Sequence, residues 1–157
     1  IRVRTKVFND RTGHHVPTDS PLRHVLLVVR AYDGGASELP LEAGPVLPGW
    51  CGAGDPATGG YAGLPGKVYV KLLEEIWTGV SPTTAYWNPT RVVMDTRIGA
   101  LQSDAGEFLF RAPESGEARI EAVLIYRRAY RELMELKGWN DPDIVMESAA
   151  VAIPIGE

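Results

Sequence analysis

The first residues alternate. Between Arg2 and Phe8, Val3, Thr5 and Val7 fall on one side and Arg2, Arg4 and Lys6 on the other, the two-residue period of a half-buried strand. Asn9, Asp10 and Gly13 then predict a turn. Residues 22–33 behave differently. Val25 to Val29 is unbroken apolar sequence, which predicts a central strand covered on both faces. Asp33-Gly34-Gly35 ends it.

The next stretch breaks the pattern. Residues 34–66 hold ten glycines and five prolines, a density that neither a helix nor a central strand tolerates. A long loop inside a compact domain is usually functional or disordered. Trp50, Cys51 and Tyr61 supply apolar anchors here, so an ordered excursion packed on the surface is expected.

Beyond the loop, Val68, Val70 and Leu72 alternate as in a strand, while Leu72, Leu73, Ile76 and Trp77 would equally line a short helix. A strand is expected at the start of 67–77. Thr90 to Met94, Gly106 to Arg111 and residues 117–127 predict further strands, the last with Ile120, Ala122, Leu124 and Tyr126 on one face. Over 128–137 the period becomes helical through Ala129, Leu133 and Leu136, and Gly138 is placed to stop the helix. Residues 143–153 predict a last strand, again apolar on both faces.

Strands without interleaved helices argue against a parallel α/β sheet. The expected fold is all-β: an immunoglobulin-like antiparallel β-sandwich of about seven strands, with one short late helix and the long Gly/Pro-rich loop 34–66. It is expected to be a single domain over 1–157. The Cys…Trp…Cys core of antibody domains is missing, since the chain has one cysteine, Cys51, which also rules out an intrachain disulfide.

Charge narrows the function classes. The net charge is −4 and the basic residues are scattered, which argues against nucleic acid as a partner. No apolar run approaches the roughly eighteen residues that a membrane span needs. The chain opens at Ile1 and alternates at once, so it reads as a mature form or a fragment, with any targeting signal outside it.

The three histidines lie between positions 14 and 24. His14, His24 and Asp19 form a candidate metal set. It is a thin one, because adjacent His14 and His15 point to opposite sides of an extended segment. The competing reading packs one imidazole in a turn. Loop aspartates (Asp19, Asp33, Asp55, Asp95, Asp104, Asp141 and Asp143) make calcium a candidate cofactor, although no spacing matches a twelve-residue calcium loop. Asp95 and Arg97 predict a strand-end ionic clamp, with Arg91 among its candidate partners. There is no Gly-x-Ser-x-Gly elbow and no phosphate loop, so no enzymatic activity is expected. Trp50, Tyr86, Trp87 and Trp139 fall in loops and turns, where aromatics anchor protein interfaces or stack on sugars.

Three segments carry a resemblance. Asn9 through Pro17, with Gly13-His14 and Pro17-Thr18, and then Pro21-Leu22-Arg23 before a strand ending Arg30-Ala31-Tyr32-Asp33, resemble the opening of a β-sandwich domain found at the C-terminal end of many exported multihaem c-type cytochromes. Asp95-Thr96-Arg97-Ile98 is similar to that domain's step before a Phe-rich strand. Ile125 to Tyr130, Leu136 to Trp139 and Asp143 to Met146 resemble its closing segment. The likeness covers about half the chain and leaves out the loop 34–66. It implies an exported prokaryotic protein, periplasmic or extracellular, in an electron-transfer setting. It also implies a haem-bearing partner, or a haem-bearing part of the same polypeptide. The chain departs from the family in lacking Cys-x-x-Cys-His, so it attaches no c-type haem covalently. His14, matching the family's Gly-His, is then a candidate distal ligand to a neighbour's haem.

The expected function is a non-catalytic structural or assembly domain. It would pack against a multihaem cytochrome segment or against copies of itself, as in a filament, through open strand edges. The alternatives are a carbohydrate- or ligand-binding module built on the loop aromatics, and a metal- or haem-ligating domain built on the histidines.

Overall fold

The computed structural model describes residues 1–156. Among them run β1 (Arg2–Phe8), β2 (His24–Asp33), β3 (Leu41–Ala43), β4 (Gly66–Tyr69), β5 (Lys71–Glu75), β6 (Thr90–Asp95), β7 (Ser103–Phe110), β8 (Gly116–Arg127) and β9 (Ile144–Ile155), with one α-helix, α1 (Arg131–Lys137), between β8 and β9. The chain is the antiparallel all-β sandwich its pattern predicts. There are nine strands rather than about seven: a short β3 forms inside the Gly/Pro-rich loop, and the 67–77 run is split at Val70 into β4 and β5.

One layer is ordered β1-β7-β3 and the other β4-β2-β8-β9. β5 and β6 form a separate two-stranded hairpin. β2 lies between β4 and β8, which explains its unbroken apolar sequence. Val25, Leu27, Val29 and Ala31 point into the sandwich with Phe108, Phe110, Ala118 and Ile120. Leu26 and Val28 point the other way and pack with Leu47, Cys51 and Ile125. The loop therefore folds back over the outer face of the larger sheet as an ordered cover. Two tight 3₁₀ turns, Gly49–Cys51 and Pro56–Thr58, shape it. Gly66 is required where loop meets sheet, because a Cβ there would lie 2.2 Å from the Leu27 carbonyl oxygen.

β9 is the expected last strand, apolar on both faces. Its sequence resembles that of β2, but among the described residues it is an edge strand paired only with β8. Ile144, Val145, Met146 and Val151 are 41–62% exposed. No helix among the described residues is long and apolar enough to cross a membrane.

Candidate interaction surfaces

The two long sides of the sandwich are finished differently. On the β4 side, Lys67 donates to Asp104 and to the Ala105 carbonyl oxygen, and the Tyr69 hydroxyl donates to Asp104 over 3.0 Å. This clasp joins β4 to β7 across the two layers. Burial, followed by the Asp104 charge, raises the Tyr69 phenol pKa well above its ordinary range.

The opposite side is open. β1 and β9 bound a cleft of about 820 Å³, floored by Leu27, Ile120, Ala122 and Leu124. Val3, Thr5 and Val7 of β1 and Ala149 and Val151 of β9 form its walls. Ala149 and Val151 lie opposite Ala122 and Ile120 of β8, which are part of the inner face. Over Met146 to Val151, β9 therefore extends the larger sheet beyond the cover that β1 provides, while its end, Ile153 and Ile155, packs against the inner core. Exposed apolar side chains along an unpaired strand edge are what proteins normally blunt with charge or proline. β9 carries one charge, Glu147, and its one proline is Pro154 near the end.

A second apolar surface lies on the β5–β6 hairpin. Residues 76–89, joining the two strands, contain no charged side chain. Ile76, Trp77 and Val80 are 55%, 73% and 54% exposed, and Tyr86 and Trp87 are 88% and 70% exposed. The rings of Tyr86 and Trp87 meet edge to face at 5.1 Å. The tip is nevertheless ordered: Asn88 donates to buried Glu75 over 2.6 Å, and Thr83 N–H donates to the Leu73 carbonyl oxygen. At its base, Val70 and Leu72 are buried with Tyr130. Tyr86 and Trp87 are thus the free aromatics their turn positions suggest. Trp77 and Ile76 were missed as members of the same patch, and the signal for them is the uncharged run itself.

Trp50 does not belong with them. It stands edge-on to His24 at 5.4 Å and to Tyr130 at 5.5 Å, wedged under the returning loop. Trp139, 45% exposed, closes the turn after α1, where its N–H donates to the Met134 carbonyl oxygen.

The three-residue metal set is not assembled. His24 is fully buried, stacked on Tyr130 at 5.2 Å, with Nδ1 3.0 Å from the Leu22 carbonyl oxygen. Burial lowers its pKa to about 4. Asp19 is held by Arg23 at 2.9 Å. His14 is exposed, with Nδ1 2.9 Å from the His15 carbonyl oxygen. No group of three or more His, Cys, Asp or Glu side chains is placed to hold a metal among the described residues. This includes the aspartates considered for calcium.

The segments that carried the family resemblance turn out to fasten the fold. Asn9 Nδ2 lies within 2.8–3.1 Å of the carbonyl oxygens of His14, Ile98 and Gly99, and Val16 and Ile98 exchange two backbone hydrogen bonds. Asp95 pairs directly with Arg97 through bonds of 2.8 and 2.6 Å, while Arg91 pairs with Glu74 instead. Arg127, 1% exposed, donates to the carbonyl oxygens of Cys51 and Gly59 at 2.6 Å each and to both oxygens of Asp143. Its guanidinium also lies over the Tyr61 ring at 5.1 Å. One buried cation thus ties β8, the covering loop and the approach to β9. Cys51 itself is fully buried, and burial pushes its thiol up to about 12.

No family model matches the chain, and no curated protein matches it. Among solved structures it is similar to a penta-heme cytochrome c552 from Thermochromatium tepidum, with a TM-score of 0.64 and 18% identity. The match covers 97% of this chain and 36% of that one, so the chain spans little more than a third of that protein's length. At this identity the likeness is one of fold.

Proposed function

We propose that this chain is a non-catalytic docking and assembly domain of an exported multihaem cytochrome system, acting in the periplasm or outside the cell. The observation that carries the reading is the unfinished side of the sandwich, an apolar cleft between two strand edges. Several partly or fully buried polar side chains, by contrast, are engaged in ion pairs and backbone staples. The fold shared with part of a penta-heme cytochrome supports the cytochrome setting. The partner is a haem-bearing segment or further copies of the chain.

Haem would belong to the partner. Cys51 is buried and single, so it fits no covalent attachment. His14 is the residue that would serve as an axial ligand: its ring is exposed, and with Nδ1 donating to the His15 carbonyl oxygen an unprotonated Nε2 would be available. A second reading, glycan binding, is favoured by the exposed Tyr86–Trp87 pair.

The test mixes the purified chain with a multihaem c-type cytochrome from the same organism, followed by size-exclusion chromatography with light scattering and haem absorbance. Co-elution of haem absorbance with the chain, or a mass that grows with the chain's own concentration, is expected. A monomer at every concentration, eluting apart from haem, overturns the proposal. Glycan affinity lost in Trp87→Ala would move the assignment to the second reading.

A further inference from the structure

We propose that the cleft between β1 and β9 receives an extended segment of a partner polypeptide with alternating apolar and acidic residues, added to β1 as a further strand of the smaller sheet. This rests on the docking reading above and supplies the chemistry of the partner.

Among the described residues, β1 pairs with β7 along one edge and with no strand along the other. The free edge faces the cleft, because residues from both of its faces, Val3 and Val7 as well as Arg4 and Lys6, line it. Packed sheets lie about 10 Å apart, and neighbouring strands about 4.8 Å apart. A strand set beside β1 would therefore stand over β9 much as β1 and β7 stand over the rest of the larger sheet. It would complete a four-on-four sandwich. The seven residues of β1 offer an edge about 23 Å long at the usual rise.

The side chains select the occupant. The inner row of such a strand would lie on Val151 and Ala149, exposed at present, which calls for apolar residues. The outer row would lie beside Arg2, Arg4 and Lys6. These three cations meet one carboxylate among the described residues, Glu107, at 3.6 Å from Arg2 and 3.0 Å from Arg4. Lys6 meets none and lies 5.9 Å from the Phe8 ring centre. In a chain of net charge −4 this is a local excess of positive charge along one strand. Acidic residues directly across from it are the complementary choice. The same cations discourage a second β1 edge, since pairing two copies would bring like charges face to face. Glu147 marks one end of the cleft, where the inner row of the partner would turn from apolar to basic.

The experiment uses the whole chain and synthetic octapeptides. One alternates Glu and Val, one alternates Lys and Val, one is a block scramble of the acidic peptide, and one is the acidic peptide N-methylated at alternate residues. Binding is read by calorimetry, and its place by amide NMR shifts. The acidic alternating peptide is expected to bind at least tenfold tighter than the other three and to weaken with salt. It is expected to shift Val3 to Val7 and Ala149 to Val151, and to lose at least tenfold in affinity in Lys6→Glu and in Val151→Asp. Both substitutions fall on exposed side chains, and an unchanged melting temperature checks that the fold persists. Equal binding of acidic and basic peptides, or binding indifferent to both substitutions, overturns the proposal. So does no binding by any peptide at millimolar concentration. A cytochrome complex that survives Lys6→Glu and Val151→Asp would leave the docking reading standing and remove this one. Peptide binding without any cytochrome complex or self-association would do the reverse.

Discussion

Arg127 grips Asp143 through two parallel hydrogen bonds of 2.8 and 2.7 Å, with the guanidinium sealed from solvent. The remaining donors hold the covering loop by two carbonyl oxygens. Removing one partner of a buried pair leaves the other uncompensated, typically at a cost of about 3–5 kcal/mol. Arg127→Met should therefore destabilise strongly in urea unfolding. Hydrogen exchange should quicken first in residues 49–61. Asp143→Asn, which keeps shape and one acceptor, should cost less.

Titration of His24 makes the fold acid-sensitive. Its folded pKa, about 4, lies below the ordinary value of 6.5, with burial the main cause and Arg127 adding to it against the Leu22 hydrogen bond. The unfolded chain therefore binds the proton first. The contribution is complete above pH 6.5, falls as pH drops, and is lost by about pH 4, amounting to roughly 3 kcal/mol. Unfolding free energy measured from pH 7 to 4 should show this slope. His24→Phe, which has nothing to protonate, should flatten the part that His24 contributes.

Much of this was legible in the sequence, and the failures have physical causes. β1, β2 and β8 declare themselves because period two and unbroken apolar runs report which faces are covered. β9 was legible as a strand but not as an edge, because apolarity does not say whether the same chain supplies the cover. In sequence Trp50 reads both as an anchor of the packed loop and as a free loop aromatic; it is the anchor, and nothing local reveals that the face it packs on is the outer face of β2. Arg127 did leave a signal. It continues the row of Val123 and Ile125, so a cation there had to be buried with partners. Those partners, 16 and 68–76 residues away, are beyond any local pattern.

Gly66 is a sharp steric test. Gly66→Ala would drive a methyl group into the Leu27 carbonyl, where neither backbone can yield cheaply. Overpacking of this kind costs about 1–3 kcal/mol. Gly13→Ala meets nothing within 4 Å and should leave the melting temperature nearly unchanged.

Cys51 should behave as a reporter of opening. Its thiol, fully buried and pushed up to about 12, should resist alkylation at pH 8 in the folded protein and react at once in denaturant. Mass spectrometry of timed samples gives the rate. Prompt labelling without denaturant would mean that the loop does not seal the outer face.

The cleft and the aromatic hairpin share no residues, so a partner seated in one leaves the other uncovered. If both dock partners as proposed, the molecule bridges two unlike neighbours, because the uncharged hairpin tip is not the acidic strand that the cleft would select. Blunting the tip alone would then leave the encounter at the cleft intact and remove only the bridge.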